Sequence, residues 1–221
     1  WLVNGKNPLT GRVVMNRQWE AFFGRGLVRT SEDFGMQSSA PSHPRLLDWL
    51  ATEFVRRKWS LKEMHKLIVM SATYRQASEV TPKLREIDPF NVLLTRGPRI
   101  RIAAEMVRDL ALSVSGLLTD KLGGPSVFPP QPASISGLTF GKFTWTTSTG
   151  PERYRRSLYT FSKRTAPFAA YMTFDGVSGE SCVVSRNRSN TPLQALTLLN
   201  DESFVEAAQA LGRLTQAKGG D

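Results

Sequence analysis

Apolar residues recur along this chain in short blocks at helical spacing, separated by glycine- and proline-rich punctuation. Asn7-Pro8-Leu9-Thr10 reads as a helix entrance with proline in the first turn. Val13, Val14, Trp19, Ala21, Phe22 and Phe23 carry that helix to Gly24, a residue suited to a left-handed stop. Ser42 and Pro44 open a second helix whose apolar face is Leu46, Leu47, Trp49, Leu50, Phe54 and Val55. Arg56-Arg57-Lys58 closes it with cations where the helix dipole favours them. Ser60-Leu61-Lys62-Glu63 has the form of a capping box, and Leu61, Met64, His65, Ile68 and Ala72 follow on one face. A longer helix carries Ile102, Met106, Leu110, Val114 and Leu117. Thr191-Pro192 opens an apolar helix through Leu199, and Asp201 caps a last one with Phe204, Val205, Ala208 and Leu211.

The middle of the chain departs from this pattern. Residues 123–150 are rich in glycine, proline, serine and threonine and read as a long loop. Arg156 to Phe161 alternates as a strand does, and Cys182-Val183-Val184 offers a second short strand. The pattern therefore predicts a mainly α fold: one domain over 1–221, with a helical core at 9–120 and 190–214. A small two-stranded β element and a long Gly/Pro-rich loop fall within 123–188. The helices are expected at about 9–23, 43–57, 60–73, 101–118 and 192–214, with Trp19, Trp49, Phe54, Ile68, Leu110, Leu196 and Phe204 buried.

Composition narrows the chemistry. With 221 residues, 40% hydrophobic and 22% charged, the chain can bury a core without covalent staples. A single cysteine, Cys182, removes an intrachain disulfide and a cysteine-based zinc site, and two histidines remove a three-histidine metal site. The net charge is +10, with 18 bases and 11 acids in residues 1–110 against 11 and 8 in the remainder. Such an excess permits a polyanionic partner without requiring one. No apolar run is long enough to span a membrane and no signal peptide is visible. The chain opens Trp1-Leu2-Val3-Asn4, as a fragment or a trimmed numbering would, so its targeting is open.

Familiar catalytic signatures are absent: no nucleotide-binding glycine loop, no HExxH, and no CxxCH for haem attachment. Gly176-Val177-Ser178-Gly179-Glu180 falls one glycine short of a nucleophile elbow. His43, at a helix start with Asp48 nearby, is a candidate general base, as is His65. Asp33 and Asp48 are the carboxylates that could assist them or share a divalent ion with them. Arginines stand out more. Arg96, Arg99 and Arg101 flank one turn, and Arg153, Arg155, Arg156, Arg164, Arg186 and Arg188 crowd the strand-like region. Guanidinium groups bind carboxylate, sulfate or phosphate in bidentate fashion, although internal pairing with Glu105, Asp109, Asp175 or Glu180 is the competing use. Arg156, Arg164, Arg186 and Arg188, with Asn190 and Gln194 at a helix N-terminus, form the candidate anion-binding set.

Several longer stretches resemble a known family. They are Asn16-Arg17-Gln18-Trp19, Phe23 to Val28, Asp33-Phe34-Gly35, Pro41 to Pro44, Leu47 to Leu50, Trp59 to Lys62 and Ser71 to Gln76. Arg156 to Tyr159, Lys163-Arg164, Phe174-Asp175 and Asn190 to Leu196 complete the set. The chain is similar to the C-terminal domain of unknown function in large exported proteins of Planctomycetes and their relatives. In those proteins a c-type cytochrome domain commonly lies upstream. The resemblance implies an exported or periplasmic bacterial setting, near redox or polysaccharide-handling machinery, and supplies no mechanism. Relatives often carry a histidine before the Phe-Gly-Arg-Gly stretch, where this chain has Ala21-Phe22.

Two functional expectations follow. One is an accessory domain that binds an anionic polysaccharide or a cytochrome or other partner domain through its arginines, with no cofactor of its own. The other is a hydrolase of esters, lactones or glycosides with a His/Asp site, to which a divalent metal could contribute. Nucleic acid is the weakest partner class, because charge alone supports it.

Overall fold

The computed structural model describes residues 1–4, 7–132, 143–183 and 185–219. The fold is mainly helical. Its contacts gather into two compact units, Trp1–Ile100 and Arg101–Asp221. The break falls inside the stretch that the hydrophobic pattern assigned to one helical core.

The first unit holds α1 (Pro8–Phe23), α2 (Pro44–Arg56), α3 (Leu61–Val69) and α4 (Pro82–Ile87). Asn7 caps α1 by accepting from the Leu9 N–H at 3.0 Å, with Pro8 in the first turn. Gly24 ends it at φ 77°, its N–H returning to the Glu20 carbonyl. A β-carbon at Gly11 would lie 3.3 Å from the Ala51 β-carbon, so glycine sets the close approach of α1 to α2. Met15, Trp19 and Phe23 of α1 then pack with Leu47, Leu50 and Phe54 of α2 and Met64 and Ile68 of α3. The Trp19 and Phe23 rings stack at 4.1 Å.

The end of α2 is a Schellman motif. The Trp59 N–H reaches back to the Phe54 carbonyl and the Lys58 N–H to that of Val55, with Lys58 left-handed at φ 54°. The hydrophobic contact that usually accompanies the motif is here an edge-to-face pair of Phe54 and Trp59, 5.1 Å apart. One turn earlier Glu53 is buried, and both Arg56 and Arg57 donate to its carboxylate at 2.6–2.7 Å. At the start of α3 the Ser60 hydroxyl accepts from the Glu63 N–H, as expected, while the Glu63 carboxylate meets Arg57 at 3.3 Å.

The second unit holds α5 (Ala104–Val114), α6 (Ala169–Thr173), α7 (Pro192–Asn200) and α8 (Glu202–Lys218), with 3-10 turns at Gly150–Tyr154 and Ser157–Tyr159. Ala104, Phe174 and Phe204 form one apolar cluster. Trp145, Phe168 and Ala170, with Phe128, Phe143, Phe161 and Tyr171, form another. Between the helices the chain is tied by buried arginines. Arg155 has no exposed surface; it donates to the carbonyls of Lys121, Gly123 and Pro125 and lies 3.7 Å over the Tyr159 ring. Arg108 of α5 donates to the carbonyls of Arg155 and Arg153 at 2.7 and 2.8 Å.

Several expectations need correction. The segment 156–161 is not a strand. Its backbone makes a 3-10 turn, the Ser157 N–H bonds to Asp109, and pairing is limited to isolated bridges of Arg155 with Thr119 and Thr160 with Val127. Alternation there records tie points to two separate segments, not a ladder. Cys182 and Val183 lie in irregular chain, and Val184 is outside the described residues. Of the expected Gly/Pro-rich loop, residues 133–142 lie outside the described residues. The helix expected at 60–73 ends at Val69 and that at 101–118 spans Ala104–Val114, while the stretch 192–214 divides at Asp201, which caps the last helix as its sequence indicates.

Burial holds for Trp19, Phe54, Ile68 and Phe204, whereas Trp49, Leu110 and Leu196 are half or more exposed. The reason is visible in the inner faces: α5 buries Ala104, Arg108 and Leu112, and α7 buries Gln194. Arg108 and Gln194 take inward positions on these helices, and Leu110 and Leu196 lie outside.

Glu53 carries a pH signature. Hydrogen bonds from Arg56, then Arg57, lower its carboxyl from 4.5 to about 2. Its contribution to stability is therefore present above pH 4.5 and lost as the pH falls towards about 2, where the folded carboxyl protonates. Urea unfolding midpoints followed down this range should fall more for the wild type than for Glu53→Gln. Parallel acid limbs would show that the two arginines do not hold the ionised form.

Candidate anion-binding site

The sequence-predicted catalytic residues lie in the first unit and do not converge. His43 is the residue before α2; its Nδ1 lies 3.0 Å from the Ser42 hydroxyl. Asp48 is taken by Arg12 at 2.7 Å. Asp33 accepts from the Gly35 N–H and shapes a turn. His65 is half-buried, with Nε2 2.7 Å from Gln18 Oε1 and its ring edge-on to Phe22. Among the described residues no three histidine, cysteine or acidic side chains are grouped to hold a metal ion.

The predicted anion-binding set lies in the second unit, and most of it is used by the fold. Arg186 donates to both oxygens of Glu105, and Arg156 stands 3.8 Å from Asp109. Asn190 accepts from Arg101 at 2.7 Å. Gln194 is buried; it closes the capping box with Thr191, accepts from Arg101 and donates to the Thr173 carbonyl. Asp175, facing Gln194 and Ser189, is held below its usual range, chiefly by the Ser189 backbone N–H and hydroxyl. Arg164 and Arg188 alone of the four arginines are exposed without an ion pair among the described residues.

A different place has the geometry of a site. In the first unit a cavity of about 310 Å³ opens between the Gly24–Leu27 turn and residues 89–100. Three arginines line it, Arg25, Arg96 and Arg99, and no carboxylate does. Its apolar surface includes Trp19, Phe23, Phe90, Val92 and Leu94. The 88–97 wall is held by its own side chains. Asp88 is buried and accepts from the N–H groups of Val92 and Leu93. Arg96 donates to the carbonyls of Asp88 and Pro89. Asn91 pairs with the Arg96 backbone through both ends of its amide. Asn91 and Leu94 sit left-handed at φ 52° and 56°, a conformation that costs a non-glycine residue about 1–2 kcal/mol. Strain of this kind persists where the surroundings over-determine it, commonly at binding sites.

The opposite wall is set by Asn16, which has no exposed surface. Its amide accepts from the Val28 N–H at 2.8 Å and donates to the Val28 carbonyl and the Ser31 hydroxyl at 3.0 Å. A β-carbon at Gly26 would fall 2.5 Å from the Val28 carbonyl oxygen and 2.7 Å from the Asn16 amide. Glycine is therefore required there, and the neighbouring Arg25 projects from a pinned turn.

A family model described as PSD1, a protein of unknown function (DUF1553), matches residues 1–219. The chain belongs to that family. No curated protein and no solved structure matches the chain. The matched span includes both units, so the DUF1553 family extends over the cavity and the arginine-tied second unit alike. Within this DUF1553 chain, Asn16 and Gly26 are explained by the clasp that shapes the cavity wall, not by chemistry of their own. The sequence reading passed over Arg25 because nothing in Gly24-Arg25-Gly26 shows that its turn faces 89–100. The clustered Arg96 and Arg99 were the available signal.

Asn16→Ala should strand the Val28 N–H and carbonyl inside the first unit. The expected loss is about 1–3 kcal/mol per stranded group. Chemical denaturation of this variant measures it, and a loss under about 0.5 kcal/mol would show that water replaces the clasp.

Proposed function

We propose that this chain is an accessory binding module that recognises an anionic partner, an acidic glycan or an acidic face of a partner domain, through its arginines. The single observation that supports it most is the first-unit cavity, lined by three arginines and no acid. The charge distribution agrees: the first unit has 16 bases and 9 acids, net +7, against 13 and 10, net +3, in the second. In this reading the module needs no cofactor and serves an exported bacterial protein, beside a c-type cytochrome or polysaccharide-handling domain. Exposed apolar stripes suit a partner domain as well: Met106, Leu110 and Val114 on α5, and Leu193, Leu196 and Leu199 on α7. No helix among the described residues is long and apolar enough to cross a membrane.

The test is binding to immobilised uronic and sulfated polymers, with a neutral glucan as control. Retention on the acidic polymers that weakens steeply as salt is raised to about 0.5 M is the expected result. Equal retention on the neutral polymer, or none on any, would remove the reading.

One observation favours the hydrolase reading. The Ser42 hydroxyl lies 3.0 Å from His43 Nδ1, and Ser42 lines the cavity that holds Arg25. In that reading His43 is the base for Ser42, and an arginine holds the substrate's anionic group. A screen of chromogenic esters and lactones, with and without chelator, separates the two. The binding module gives no turnover, whereas a hydrolase gives turnover that disappears in His43→Ala.

A further inference from the structure

Arginine burial follows a rule in this protein, with one exception. Among the described residues Arg12, Arg25, Arg57, Arg96, Arg101, Arg108, Arg153 and Arg155 are buried or half-buried. Seven have partners. Arg12, Arg57 and Arg153 meet carboxylates. Arg155 meets carbonyls and Glu152, and Arg96 and Arg108 meet carbonyls. Arg101 meets Ser189, Asn190 and Gln194. Arg25 alone has neither hydrogen bond nor ion pair among the described residues, although it has lost part of its contact with water. A half-buried arginine without a counter-group keeps its donors free, and an oxyanion arriving from solution can take them in charge-assisted hydrogen bonds.

The surroundings limit what that oxyanion can be attached to. Arg25, Phe90 and Val92 stand between the cavity of about 310 Å³ and an adjoining hollow, in which Glu20 is the one acid. Glu20 is engaged by the Ser31 hydroxyl at 2.5 Å. Phe90 is 77% exposed, so an aromatic face is open beside the cation. Ser42 adds a hydroxyl, and Arg99 is an exposed second cation at the margin. The volume is at the small end for ligand sites, enough for one ring. Both walls are fixed in advance, by the Asn16 clasp and by the Asp88, Asn91 and Arg96 bonds.

We infer that this cavity takes a single ring-borne oxyanion of monosaccharide size, a sugar acid or a sugar sulfate. Arg25 holds the charged group in a bidentate pair and Phe90 stacks on the ring. This assignment rests on the anion-binding reading and deepens it. Surface arginines such as Arg164 and Arg188 add salt-sensitive attraction, while Arg25 selects the acidic ring.

The test uses the purified chain with glucuronate, galactose 6-sulfate and neutral glucose as probes, followed by calorimetry and ligand-observed NMR. Binding of at least one acidic sugar but not of glucose is expected, and the two acidic arms decide between carboxylate and sulfate. Arg25→Gln should weaken binding about tenfold or more, and Arg25→Lys should restore only part of it, since an ammonium lacks the planar fork. Phe90→Ala should weaken it too, and Arg213→Gln, at an exposed arginine on α8, should leave it unchanged. Unaltered circular dichroism and melting in each variant separate lost binding from lost folding. Wild-type affinity in Arg25→Gln, or equal binding of glucose, overturns the assignment. If no monosaccharide binds while acidic polymers are still retained, the assignment falls and the binding-module reading stands. If neither monosaccharides nor acidic polymers bind, both fall.

Discussion

Every backbone N–H and carbonyl withdrawn from water needs a partner, and this protein meets that demand without a sheet among its described residues. Several of its helices are joined by long irregular segments, where buried side chains supply the partners that neighbouring strands would otherwise provide. Asn16 pairs with both backbone groups of Val28, as an adjacent strand would. Asp88 and Arg96 satisfy opposite polarities of one wall, carboxylate to N–H groups and guanidinium to carbonyls. Arg155 gathers carbonyls from residues 121–125, and Arg108 holds the carbonyls of Arg153 and Arg155. Burial pushes the Arg108 guanidinium down from its ordinary range, as expected for a cation removed from water.

This use of side chains shapes the helices. When α5 turns Arg108 inward and α7 turns Gln194 inward, the apolar residues between them face out. Those exposed stripes are thus a consequence of how the connections are satisfied. They also leave the second unit with apolar surface of the kind that partners cover. In the first unit the same device has a different outcome. The Asn16 clasp and the self-bonded 88–97 wall each use their own polar groups, and Arg25 between them has no hydrogen bond or ion pair among the described residues. Rigid walls held by their own hydrogen bonds around a half-buried, unpaired cation make a site that is organised before any ligand arrives.

The candidate site was legible in part. Arginine as the functional residue type, and the bias of charge towards the first half, could be read directly. The particular arginines could not. Arg186 and Arg156 look like a binding face in sequence, but Glu105 and Asp109, some 81 and 47 positions away, meet them in space. Gln194 at a helix N-terminus looks available, yet it is the central acceptor and donor of its neighbourhood. Arg25 carries no local mark, since its lack of a partner is a property of the surrounding fold. His43 and Asp48 are close in sequence but part on opposite errands, one to Ser42 and the other to Arg12.

What the sequence by itself determined is local: helix starts at Asn7-Pro8, Ser60 and Thr191-Pro192, the left-handed stop at Gly24, and the helical apolar spacing of α1 to α3. These depend on groups within one or two turns, so their physics is complete in a short window. Only the tertiary structure decided which face of α5 and α7 is inside, that Arg156 to Phe161 forms single bridges instead of a strand, and which arginines remain unpaired. Each of those depends on whether a distant backbone group or carboxylate arrives within hydrogen-bond distance, and that is set by packing across the whole unit, not by neighbours along the chain.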